Sequence, residues 1–162
     1  MKHLILAFVA LAIATPAAAQ ERVDLSQSSA WANSQLGALY ALSPADGWYE
    51  LDGGVRFRRT AGDGTGPAPT VRDTVTVNYA GRLTNGEEFD STAGGRPATF
   101  PLGQLIRAWQ VAIPYMGVGD TIEIAVPSEL GYGARGAGPI PPGATLFFTI
   151  ELLDVLVPPG RG

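Results

Sequence analysis

Residues 73–83, DTVTVNYAGRL, put Val75, Val77, Tyr79 and Leu83 on one face of an extended chain and Thr74, Thr76, Asn78 and Arg82 on the other. Side chains alternate across a strand with a period of two. The run therefore predicts a strand with one covered and one wet face, the pattern of an antiparallel sheet. Asn85-Gly86 follows, and both residues tolerate the positive φ of a tight hairpin turn. The chain is then obliged to return, as EEFDST over 87–92. Three more runs alternate similarly: VRFRR (55–59), TIEIAVP (121–127) with Ile122, Ile124 and Val126 inward, and TLFFTIELLDV (145–155) with Leu146, Phe148, Ile150 and Leu152 inward.

Two segments have helical spacing. In LGQLIRAWQVAIPYM (102–116), Leu105, Ile106, Trp109, Ala112 and Ile113 fall on one stripe, which predicts a single helix ended by Pro114. In SAWANSQLGALYAL (29–42), Trp31, Ala38, Leu39 and Leu42 lie within an arc of about 100°. Ser43-Pro44 stops that helix, because a residue before proline avoids the helical region. Its apolar stripe is expected to dock on the domain or to form a small dimer contact. The expected fold is α+β: a twisted antiparallel sheet wrapped around one short central helix, with a short N-terminal helical extension. Trp109 would sit where helix and sheet meet.

The chain of 162 residues is expected to hold one domain. Lys2 and His3, the apolar run Leu4–Ala14 and the small residues Ala17 and Ala19 read as a secretory signal cleaved before Gln20. The expected division is a signal peptide at 1–19, an extension at 20–53 and the main domain at 54–157. After cleavage the protein would be periplasmic or secreted, with no membrane span. The remaining chain has 10 Arg and 15 Asp or Glu, a balance of 10 − 15 = −5. That balance speaks against nucleic acid, which needs a basic patch. The only His lies in the signal, the only Lys is Lys2, and Cys is absent. Serine triads, thiolate nucleophiles, Schiff bases and zinc held by nitrogen or sulfur are therefore excluded from the mature chain. Glu87, Glu88 and Asp90 share one hairpin and make a poor glycosidase pair.

From about Gly54 to Val155 the chain resembles an FKBP-type (FK506-binding-protein) peptidyl-prolyl cis-trans isomerase, in a bacterial secreted form. The blocks that carry the resemblance are VTVNYAGRLTNGEEFDST, TFPLGQLIRAW, MGVGDTIEIAVPSELGYGARG and IPPGATLFFTIELLDV. The resemblance implies a pocket with Trp109 as floor, Tyr79 and Phe148 as walls, Leu105 beside it and Ile140 at an apolar lip. Phe89 and Asp90 match the family's Phe-Asp pair. The Ile106 N–H and the Tyr132 hydroxyl would hydrogen-bond substrate, and the Asp90 carboxylate would orient Tyr132 or a loop arginine. Ala98 stands where many relatives place an aromatic, so one wall is expected to be low. The Gly/Pro-rich loop after Val126 would serve as a substrate flap. The implied partners are proline-containing peptides, folding proteins and macrolide inhibitors; no cofactor or metal is implied. The protein would be a monomer or a weak dimer, and a chaperone that holds such chains with little turnover is the alternative.

Overall fold

The computed structural model describes residues 28–158. The expected signal peptide and its cleavage site lie outside the described residues.

The chain opens with helix α1 (Ser29–Tyr40), whose first turn is capped by the Ser28 side chain accepting from the Trp31 N–H. Strands β1 (Tyr49–Glu50) and β2 (Arg56–Ala61) come next. Then follow β3 (Thr74–Leu83), β4 (Glu88–Ser91) and β5 (Ala98–Pro101). A short helix α2 (Arg107–Ala112) leads to β6 (Thr121–Val126) and β7 (Leu146–Leu156). The seven strands form one sheet in the order β1-β2-β6-β7-β3-β4, and β5 pairs with the first half of β3. All pairings are antiparallel.

Alternation decides which face is covered. Val75, Val77, Ile122, Ile124, Val126, Leu146, Ile150 and Leu152 are fully buried on one face of the sheet, and Ala108, Ala112 and Ile113 pack onto it from α2 and its exit. Fully burying each of the larger side chains contributes about 1.5–3 kcal/mol. The central pairing, β3 with β7, runs from Thr74 opposite Leu156 to Leu83 opposite Leu146.

Three expectations need correction. The helix expected within 102–116 is shorter than its apolar stripe: a 3₁₀ turn covers Leu102–Gln104, Leu105 and Ile106 are non-helical, and α-helix begins only at Arg107. The Gln110 side chain holds the break by donating to the Leu105 carbonyl at 2.7 Å and the Gly103 carbonyl at 3.2 Å. Pro114 does not stop the turn either; it lies within a 3₁₀ segment, Ile113–Tyr115, that extends α2. Finally, α1 ends at Tyr40, and its covered stripe includes a polar residue, Gln35, beside Leu39.

Candidate active site

The site lies where α2 meets β3, β4, β5 and β7. The Trp109 indole, 4% exposed, forms its floor. Three rings stand edge-on to it. Tyr79 from β3 has its centroid at 5.3 Å and 83°, Phe148 from β7 at 5.4 Å and 88°, and Phe100 from β5 at 6.4 Å and 76°. Phe89 of β4 extends the wall, with its ring 5.6 Å from that of Phe148. Aromatic quadrupoles favour such edge-to-face contacts, so the cluster is a stiff frame rather than a loose apolar patch. Leu105, Ile106, Asp90 and Tyr132 complete the lining of a cavity of about 260 Å³.

The close approach of Phe89 and Phe148 depends on a glycine. A Cβ at Gly81 would stand 2.6 Å from Phe89 Cζ and 2.8 Å from Phe148 Cε1. Hydrogen in place of a side chain lets both rings cross that strand.

The polar groups divide into those already engaged and those free. The Tyr79 hydroxyl donates to Asp90 Oδ2 at 2.6 Å. Asp90 therefore orients Tyr79, which corrects the expectation that it orients Tyr132 or a loop arginine. The pairing arises from strand register, since Gly81 faces Asp90 across the β3–β4 ladder. Burial, followed by the Asp90 hydrogen bond and charge, pushes the Tyr79 phenol far above its ordinary value. The Tyr132 phenol is raised as well, first by burial and then by the charge of Asp90. Both hydroxyls thus stay protonated at neutral pH and remain able to donate. Neither the Tyr132 hydroxyl nor the Ile106 N–H has an acceptor among the described residues. Ile106 is the N-cap of α2, so its N–H precedes the helix and has no intrahelical partner.

Of the nine residues singled out in the sequence, eight line this one cavity: Tyr79, Phe89, Asp90, Leu105, Ile106, Trp109, Tyr132 and Phe148. The ninth, Ile140, does not. It is 6% exposed in the core cluster, in the loop between β6 and β7, where it bridges to Ala137. Phe100, not singled out in the sequence, also lines the cavity; its strand of four residues, Ala98–Pro101, is too short for alternation to mark it as inward. A wider hollow of about 590 Å³ lies against the opposite face of the sheet, beside the 92–95 loop. Asn78, Thr149 and Glu151 line it, and Glu151 is already bonded to Asn78 at 2.9 Å. It has no aromatic cluster of the kind that surrounds Trp109, so the smaller cavity is the candidate site.

An antiparallel sheet packed on one short helix, with a ring-lined cleft bearing two donors that lack acceptors among the described residues, defines an α+β protein with an apolar candidate pocket. Comparison with known proteins makes the class specific. Residues 66–153 match the FKBP-type peptidyl-prolyl cis-trans isomerase family, and the chain belongs to that family. It is 46% identical over 100 residues to the FKBP-type peptidyl-prolyl cis-trans isomerase FkpA of Aeromonas hydrophila, covering 61% of this chain and 37% of the relative. It is 47% identical over 95 residues to FK506-binding protein 1 of Dictyostelium discoideum, covering 56% of this chain and 89% of that protein. The crystal structure of FkpA from Escherichia coli superposes with a TM-score of 0.75 at 33% identity, covering 87% of this chain and 66% of that one. The chain spans about a third to a half of the length of three bacterial relatives that it matches in sequence.

Proposed function

We propose that the protein is a peptidyl-prolyl cis-trans isomerase that accelerates rotation about X–Pro bonds in other polypeptides. The observation that carries this reading is the pairing of a dry aromatic floor, Trp109, with two hydrogen-bond donors, Ile106 N–H and Tyr132 O–H, that have no acceptor of their own.

Amide resonance sets a barrier of about 18–20 kcal/mol to rotation. At about 20 kcal/mol the uncatalysed rate is on the order of 0.01 s⁻¹, and a turnover of about 10 s⁻¹ requires roughly 4 kcal/mol of selective stabilisation. No bond is broken and no proton leaves carbon, so a site without a nucleophile suffices. The twisted amide has lost resonance and is less dipolar than the planar one. Rings that exclude water therefore favour the twisted form, which is differential binding of the transition state. The proline ring would rest on Trp109 between Tyr79, Phe100 and Phe148. Ile106 N–H and Tyr132 O–H would hold flanking carbonyls so that one side turns while the ring stays seated.

The substrates in this reading are proline-containing segments of folding proteins, and macrolides that mimic them would compete for the cleft. The signal-like sequence before Gln20 supports a periplasmic or secreted location. Among the described residues no helix is long and apolar enough to cross a membrane. The expected division into a 20–53 extension and a 54–157 catalytic unit belongs to the same proposal.

A protease-coupled or NMR-exchange assay on a proline tetrapeptide tests it. Catalysed exchange that a Trp109 variant loses supports the reading. Absence of catalysis, with suppressed aggregation of an unfolded client, would replace it with a holding chaperone.

A further inference from the structure

Residues 127–145 join β6 to β7, the loop expected to act as a flap, and carry Tyr132, which lines the cleft. Gly143 N–H donates to the Gly133 carbonyl at 2.9 Å, and Gly136 N–H donates to the Tyr132 carbonyl at 3.1 Å. This clasp closes the flap at its base, directly beside Tyr132. The far side of the clasp is held by α1. Trp31 Nε1 donates to the Pro142 carbonyl at 3.1 Å. Gln35 Oε1 accepts from the Thr145 N–H at 2.9 Å, and the Gln35 carbonyl accepts from the Thr145 hydroxyl at 3.1 Å. Gln35 Nε2 in turn donates to Thr84 Oγ1 at 3.2 Å, which ties the same side chain to the end of β3.

Gln35 is 4% exposed and Thr145 2%. A helix that merely covered an apolar gap would not bury an amide there, because each buried polar atom must be matched or its desolvation is uncompensated. This amide is matched at both ends, and its oxygen is used on the backbone of the flap's exit.

We propose that α1 is a strap for the flap, with Trp31 and Gln35 as positioning residues that set Tyr132 through Pro142, Thr145 and the Gly143–Gly133 clasp. The inference rests on the isomerase reading of the cleft and adds to it a role for the N-terminal extension. A strapped flap presents the Tyr132 hydroxyl ready for substrate. A loose one must be ordered at each encounter, and that cost falls on binding more than on turnover.

The test uses the full chain carrying Trp31→Phe, which removes the indole N–H and part of the ring but keeps an aromatic side chain, and the double variant Trp31→Phe/Gln35→Leu. Each is also made in a Tyr132→Phe background. The expected result is a KM raised about 3–10-fold in the double variant with kcat within about twofold, and an effect below about twofold when Tyr132→Phe is already present. Exchange of the Gly143 and Gly136 amides should quicken about tenfold or more. Leu36→Ser, on the exposed side of α1, should change none of these. An unchanged KM, an equal loss in both backgrounds, or unaltered amide exchange overturns the strap. Should the double variant not fold, Trp31→Phe alone carries the same comparisons. If the wild-type chain fails to catalyse isomerisation, the functional reading falls, whereas the amide exchange still decides the strap.

Discussion

Tyr79 and Asp90 are joined by a 2.6 Å hydrogen bond that spans the hairpin from β3 to β4, and this bond leaves Tyr132 as the unengaged phenol of the cleft. One wall of the site is thereby tied to a carboxylate, while the Tyr132 hydroxyl has no acceptor among the described residues.

The bond has a consequence in alkali. The folded-state value of Tyr79 is raised above that of the unfolded phenol, near 10. The stability that this group contributes is complete below about pH 10 and falls as the pH climbs toward the folded value. Urea midpoints should therefore stay level from about pH 7 to 9 and decline above about pH 10. Tyr79→Phe should decline less steeply over the same alkaline range; equal slopes would show that this phenol is not the group being strained.

Under the proposed function, Tyr132→Phe removes one substrate hydrogen bond and keeps the ring. An uncharged hydrogen bond contributes about 1 kcal/mol net, so kcat/KM should drop roughly fivefold. Thermal stability should hardly change, because the hydroxyl has no partner within the described protein. Stopped-flow kinetics with a proline tetrapeptide reads the first quantity and calorimetry the second. Unaltered kcat/KM would remove the hydroxyl from the mechanism.

Trp109→Ala should abolish measurable catalysis and lower stability by about 3–5 kcal/mol, the usual cost of emptying a buried aromatic position. Denaturant titration measures the loss. A variant that kept full activity would show that the floor of the cleft is elsewhere.

Gly81→Ala tests the wall rather than the floor. The added methyl would meet Phe89 and Phe148 at well under contact distance. Overpacking of this kind costs about 1–3 kcal/mol. Because both rings line the cleft, ligand affinity should weaken together with the melting temperature. A stable variant with unchanged affinity would mean that the two rings can yield without moving the site.

Much of this is legible in the sequence alone, and particular residues show why the rest is not. Alternation identified β3, β6 and β7 because one face of each is buried by apolar side chains and the other is mostly polar and only partly covered. It could not fix the cross-strand partner of Asp90, which depends on a register shift between Gly81 and Arg82. The stripe Leu105–Ile106–Trp109 imitated a helix because residues that line a cavity and residues that line a helix face are both apolar. Only the Gln110 side chain's hold on the Leu105 carbonyl reveals the break. Gln35 escaped notice because a glutamine on an amphipathic helix ordinarily faces water. Its role appears only once Thr145 is beside it. Phe100 was passed over because a four-residue strand gives alternation too few repeats to show.

The family-matching segment starts at residue 66, after β2 has ended, yet β2 lies between β1 and β6 and pairs with β6 along nearly its whole length. Cutting the chain to that segment would strip one border of the sheet and bare the backbone of β6, an invitation to stick to other chains. It would also discard Phe57 from the interior. For anyone trimming this protein to a minimal folded unit, the smallest sound piece reaches well upstream of the stretch that similarity alone would recommend.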